Sequence, residues 1–132
     1  MIVIDASVLA NVVGDDESAG LLARRRLQVA GAASAPDLVD VETVLVLRRR
    51  WLKGGLTDER FRAAVDDLLA LPITRFPTGP LMSRAFELRA DVTAYDACYV
   101  ALAEALECTL VTSDQRFANA STISCPTEGL RQ

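Results

Sequence analysis

The chain has 132 residues, 51% of them hydrophobic and 24% charged, with a formal net charge of −4. This length and composition suit one globular domain with a real core, no apolar run approaches the ~20 residues of a spanning helix, and the acidic balance excludes nucleic-acid binding by bulk charge. There is no histidine, which removes Ser-His-Asp and Cys-His nucleophile systems, histidine acid–base ribonuclease chemistry and every zinc site that needs an imidazole.

Residues 2–5 predict a short buried strand, because Ile-Val-Ile is β-branched and continuous. The same stretch has no basic residues ahead of it and is interrupted by Asp5, so no secretory leader is expected and a cytoplasmic location is. A helical turn over 8–13 ends at Gly14. Asp15, Asp16, Glu17 and Ser18 then crowd the start of a helix reaching residue 29 or 30, as capping and the macrodipole favour, and Gly31 closes it. Pro36-Asp37 is expected to open the next helix, which runs through Glu42 to Trp51 and stops at Gly54-Gly55.

Thr57 caps another helix ending at Leu71-Pro72, and residues 73–76 predict a strand. A helix over 80–90 follows, then a largely apolar helix over 95–107 that reads as central and buried. Residues 109–112 predict the next strand, 115–120 a short helix, and 122–125 a last edge strand before Pro126. Strands separated by helices imply an α/β domain spanning 1–132, with a small parallel sheet of four to five strands flanked by helices.

Three cysteines, Cys98, Cys108 and Cys125, are odd in number and lack a Cys-x-x-Cys pair, which argues against a disulfide framework and structural zinc. Cys98 and Cys108 are read as small buried hydrophobes. Four acids stand apart from this apolar pattern: Asp5 and Asp114 at the carboxyl ends of predicted strands, Glu42 and Asp96 near the starts of helices. In parallel sheets functional groups gather beyond the carboxyl ends of the strands. A carboxylate beside apolar residues stays ionised only if it is paired or bound to metal. With one lysine and no histidine to serve as partners, the economical reading is a site for a hard cation such as Mg²⁺ or Mn²⁺ shared by Asp5, Glu42, Asp96 and Asp114.

Hydroxyls flank these acids. Ser7 follows Asp5, and Thr112 and Ser113 precede Asp114, positioned to hold the carboxylates in place or to serve as turn and cap groups. All but one of the fourteen cations are arginine, the side chain that grips phosphate with two parallel bonds, and they cluster at Arg24-Arg25-Arg26 and at Arg48-Arg49-Arg50 ahead of Lys53. A solvated helix face is the bland reading of both clusters. Tyr95 and Trp51 are able to stack on bases, with packing in the core or at a dimer interface the expected role.

Ile-Val-Ile-Asp-Ala-Ser at the start, Val-Asp-Val-Glu in an early helix, Thr-Ala-Tyr-Asp-Ala-Cys-Tyr-Val-Ala-Leu-Ala-Glu, and Leu-Val-Thr-Ser-Asp-Gln-Arg-Phe together resemble the PIN-domain nucleases, and within them the VapC-type toxins of bacterial toxin–antitoxin modules. The resemblance runs from residue 1 to about residue 125. It implies a single PIN-like domain and a Mg²⁺- or Mn²⁺-dependent endoribonuclease whose catalytic acids are Asp5, Glu42, Asp96 and Asp114. It further implies cleavage of tRNA or ribosomal RNA, a cognate antitoxin and a homodimer, with no membrane partner. Thr112 matches the threonine of the family's Thr-x-Asp pattern, and Arg48, Arg49, Arg50 and Lys53 become candidate contacts for RNA or antitoxin. Gln115, Arg116 and Phe117 stand where some members carry a further acid, so a second metal has no ligand there.

Two other classes fit less well. A phosphate-receiver domain expects paired acids after the first strand and a late lysine, whereas one acid follows here and no lysine comes after Lys53. A phosphatase nucleophile of the Asp-x-Asp kind meets Asp5-Ala-Ser7 instead. A catalytically inactive module that binds RNA or protein and holds a structural ion would carry the same acids.

Overall fold

Ile2–Ile4 forms strand β1 at the middle of a five-stranded sheet, where a run of β-branched residues is buried on both faces. The computed structural model describes residues 1–114 and 121–131, so the helix expected over 115–120 lies outside the described residues. The other strands are β2 (Ala33–Pro36), β3 (Thr74–Phe76), β4 (Thr109–Thr112) and β5 (Thr127–Gly129). Every neighbouring pair is parallel, in the order β3-β2-β1-β4-β5.

Among the described residues, six α-helices supply the crossovers that a parallel sheet requires: α1 (Ala6–Gly14), α2 (Ser18–Ala30), α3 (Val39–Leu52), α4 (Asp58–Ala70), α5 (Met82–Glu87) and α6 (Ala94–Leu106). The chain winds from β1 through β2 to β3 on one side, then crosses over to β4 and β5 on the other. The order therefore switches between β1 and β4, where Ile4 pairs with Val111. A crevice opens beyond the carboxyl ends of strands at such a switch. Asp5 and Asp114 fall just past those two strand ends.

Local chemistry explains most boundaries. Asp5 caps α1 by accepting from the Val8 amide, Thr57 caps α4 by accepting from the Arg60 amide, and Thr93 caps α6 by accepting from the Asp96 amide. Asp15 accepts from the amides of Glu17 and Gly20 at the start of α2, and Gly31 ends that helix with a φ of 74°, a value glycine adopts without strain. Helix α6 is the apolar centre of the fold: residues Ala97–Ala103 are buried without a break against β1, β2 and β4. Helix α1 packs against α2, α3, α4 and β4.

Three expectations are corrected. Residues Ala33–Pro36 form a buried strand where none was expected, and the helix thought to open at Pro36-Asp37 begins at Val39. Small residues there carry little strand propensity; pairing with β1 and β3 on both sides decides their conformation. The last strand lies after Pro126, not at 122–125: the Leu110 amide donates to the Pro126 carbonyl, which sets the register of Thr127–Gly129. The helix expected over 80–90 is a 3₁₀ turn at Gly79–Leu81 followed by α5. No helix among the described residues is long and apolar enough to cross a membrane.

Candidate active site

Asp5 leaves β1 and caps α1, so its carboxylate is fixed by the geometry of a strand-to-helix turn. One oxygen accepts from Ser7 Oγ at 2.6 Å and from the Val8 amide at 3.2 Å. The other accepts from Thr112 Oγ1 at 2.5 Å. The residue is 7% exposed and makes no ion pair among the described residues. Burial raises its pKa above the usual carboxylate value, the bonds from Ser7, Thr112 and Val8 oppose that rise, and the nearby charge of Asp96 adds to it.

The two hydroxyls knit the strand ends together. Ser7 Oγ also accepts from the Ser113 amide at 2.9 Å, and Thr112 Oγ1 accepts from the Asp114 amide at 2.9 Å. Ser7 and Thr112 therefore touch both Asp5 and the turn that presents Asp114, the geometry by which neighbours hold a ligand set in place.

Glu42 arrives from the first turn of α3 and Asp96 from the first turn of α6. Glu42 Oε1 accepts from the Tyr99 hydroxyl at 2.6 Å. Burial, followed by that carboxylate, holds the Tyr99 phenol protonated well above its ordinary range. Asp5, Glu42, Asp96 and Asp114 all line one pocket of about 250 Å³, together with Ser7, Arg49, Tyr99 and the side chains of Leu45 and Val46. Four segments spread over most of the chain thus deliver four carboxylates to the crevice between β1 and β4.

This donor set is all hard oxygen, which fits Mg²⁺ or Mn²⁺ and not a soft metal. Asp5 adds a specific reason: a buried carboxylate with a raised pKa and a second acid nearby is stabilised as the anion by an added cation. Among the described residues no three acids or cysteines close to direct-ligand spacing. Such a set suits an ion that keeps part of its water, as Mg²⁺ does.

The basic run does not act as a unit. Arg49 alone of Arg48, Arg49 and Arg50 lines the acidic pocket, and its guanidinium makes no hydrogen bond or ion pair among the described residues. Arg50 is turned inward, donating to Asn11 Oδ1 at 2.7 Å and to the Ala10 carbonyl at 3.3 Å, which ties α3 to α1. Arg48 lines a groove of about 480 Å³ between α3 and α4 with Trp51 and Phe61. Lys53 is exposed at the C-cap of α3, away from the pocket lining. In the other cluster, Arg24 donates to the carbonyls of Val12 and Asp15, and Arg26 pairs with Glu128.

Tyr95, expected to pack in the core or at a dimer interface, is 62% exposed and so is no core residue, and Trp51 is half out of the core with its indole N–H on Asp58. Cys98 and Cys125 are buried and all three cysteines are free. Tyr99, which the sequence merges into the apolar run of α6, lines the acidic pocket and bonds to Glu42. Its position one helical turn after Asp96 is the signal that would have found it.

The chain matches the family model of the PIN domain over residues 2–122. It is 42% identical to ribonuclease VapC9 of Mycobacterium tuberculosis over 127 residues, covering 96% of this chain and 95% of that protein. Ribonuclease VapC1 of the same organism is 37% identical, with 93% and 92% covered. Among solved structures, Mycobacterium tuberculosis VapC20, a sarcin-ricin loop cleaving toxin, superimposes with a TM-score of 0.69, covering 92% of this chain and 95% of that one. A second, PAE2754 from Pyrobaculum aerophilum, gives 0.67 over 96% and 81%. Both are 19% identical to this chain, a likeness of fold alone. With its matched length, its parallel sheet and its relatives in agreement, the chain belongs to the PIN-domain family and, within it, to the VapC-type nucleases.

Proposed function

We propose that this chain, acting as one PIN domain in the cytoplasm, is the endoribonuclease toxin of a toxin–antitoxin pair. Its reaction is the Mg²⁺- or Mn²⁺-dependent hydrolysis of a phosphodiester bond in tRNA or ribosomal RNA. A small cognate antitoxin would neutralise it, and a homodimer is the working form. The observation that carries this reading is the meeting of Asp5, Glu42, Asp96 and Asp114 in one pocket at the switch between β1 and β4. The ribonuclease names of relatives at 42% and 37% identity support it.

Asp5, Asp96 and Asp114 would hold the ion, with Glu42 completing the acidic quartet. When bound, the ion supplies positive charge at the phosphate and activates the attacking water. Ser7 and Thr112 keep the Asp5 carboxylate from rotating, so no reorganisation is needed as charge develops. Arg49 stands at the same pocket as a cation able to hold an RNA phosphate. Arg48 and Lys53 lie outside the pocket on the C-terminal half of α3 and at its C-cap, where RNA or an antitoxin would run past them. With no histidine, and with the Ser7 hydroxyl donated to Asp5, an ion-activated water is the nucleophile of this reading, and the products carry a 5′-phosphate and a 3′-hydroxyl.

The test is to incubate purified protein with tRNA and ribosomal-RNA fragments in Mg²⁺ or Mn²⁺, with EDTA and Asp96→Asn as controls. Cleavage lost in both controls, with 5′-phosphate ends, supports the assignment. A 2′,3′-cyclic phosphate end would rule it out, because that product requires the ribose hydroxyl as nucleophile. Metal binding without cleavage of any RNA would favour the inactive binding module.

A further inference from the structure

We infer that Tyr99 is a positioning residue of the acidic site, setting where Glu42 stands relative to Asp96; the inference rests on the metal-dependent reading above. Tyr99 is 2% exposed, so its ring is a core side chain of α6. A phenol this deeply buried must find a partner for its hydroxyl. It reaches across to a different helix and donates to Glu42 Oε1 at 2.6 Å, the short length typical of a bond to a charged acceptor.

Glu42 and Asp96 come from separate helices, α3 and α6, and a glutamate has three rotatable bonds by which to swing away. Tyr99 lies one turn after Asp96, on the same face of α6. Its bond therefore links the two acids through one rigid ring and one helical turn. The ring itself is part of the buried core, and Tyr99 lines the same pocket as Glu42 and Asp96.

The test uses the full chain and a double-mutant cycle of Tyr99→Phe and Glu42→Gln. Phenylalanine keeps the buried ring and removes only the hydroxyl. Mn²⁺ binding is read from the loss of the free-ion electron paramagnetic resonance signal, and unfolding from thermal melts in EDTA. Tyr99→Phe is expected to weaken Mn²⁺ about tenfold, the lower end of what loss of a supporting bond around a metal site costs, with the melting temperature little changed. In the Glu42→Gln background the same substitution is expected to add no further loss, since its effect passes through that carboxylate.

A Tyr99→Phe effect of equal size in both backgrounds overturns the inference, because a general packing role would act regardless of residue 42. Unchanged Mn²⁺ binding in Tyr99→Phe overturns it too, as does a wild-type chain that binds no Mn²⁺. The metal arm requires no RNA, so a chain that binds Mn²⁺ but cuts nothing defeats the nuclease reading while leaving Tyr99 decided by the cycle.

Discussion

Asp5 and Thr112 are 107 positions apart in the chain, yet the Thr112 hydroxyl lies 2.5 Å from the Asp5 carboxylate. The contact exists because β1 and β4 are adjacent parallel strands and both residues sit at their carboxyl ends. Thr112 is fully buried and its oxygen also takes the Asp114 amide and lies 2.7 Å from the Asp114 carbonyl. Thr112→Val keeps the shape and removes all of these. It should destabilise the chain by ~1–3 kcal/mol, the cost of leaving buried polar groups unpaired, and reduce RNA cleavage more than Thr112→Ser does. Urea denaturation and initial cleavage rates of the two variants give the comparison.

Asp5 itself should show the opposite sign in stability. Its folded pKa is raised, chiefly by burial, above the ordinary value of 3.8. Below 3.8 both folded and unfolded chains hold the proton and Asp5 imposes no penalty. Between 3.8 and the raised folded value the folded chain binds more protons than the unfolded one, so stability falls as pH rises through that window. Above it the penalty of the buried anion is fully present. In EDTA, Asp5→Asn should therefore be more stable than wild type at pH 7. The gap should close as the pH is lowered below the carboxylate range. Added Mn²⁺ should stabilise wild type and leave Asp5→Asn unmoved, since only a binding-competent folded state gains from the ligand. Denaturation curves at several pH values, with and without the ion, decide it; a variant less stable than wild type at pH 7 in EDTA would refute the buried-anion account.

Much of this arrangement was legible in the sequence because it depends on local rules. The β-branched run of β1, the acids after strand ends, the threonine caps and the glycine after α2 all signal their positions within a few residues. What escaped depends on partners far along the chain. Ala33-Ser-Ala-Pro36 has no strand-forming side chains, and its conformation comes from hydrogen bonds to β1 and β3. Thr122-Ile-Ser-Cys125 has better strand character, but the register with β4 selects the segment after Pro126. Tyr99 looked like one more apolar residue of α6, and only the approach of α3 gives its hydroxyl an acceptor.

Asp40 and Glu42 offer a clean contrast, being two acids in the same helical turn. They point differently, since a two-residue step rotates a side chain by about 200° around a helix. Asp40 pairs with Arg75 through two bonds of 2.8 and 3.0 Å, which link α3 to β3, and it does not line the acidic pocket. Asp40→Asn should keep cleavage at wild-type level and cost about 1 kcal/mol in stability, as a partly exposed pair does. Glu42→Gln should lower cleavage at least a hundredfold while leaving stability nearly unchanged. Loss of cleavage in Asp40→Asn, in a chain that remains folded, would show that the site extends beyond the pocket.

The three consecutive arginines of α3 should separate in the same way, by where their guanidinium groups go. Arg50 donates to Asn11 and Ala10, so Arg50→Gln removes bonds between α3 and α1 and should lower stability by about 1 kcal/mol. The Arg49 side chain reaches the acidic pocket with no partner among the described residues, and as the proposed RNA-phosphate contact it would contribute to binding through released counterions. Measured on an Asp96→Asn background in EDTA, so that nothing is cut, Arg49→Gln should make the dependence of log affinity on log salt shallower by about 0.7, the value for one phosphate of a single strand. Arg50→Gln should leave that slope unchanged. Arg48→Gln serves as the control for charge alone, because its side chain lines the groove between α3 and α4. Equal slopes for Arg48→Gln and Arg49→Gln would mean that RNA follows the whole exposed face of α3 and not the pocket edge that Arg49 occupies.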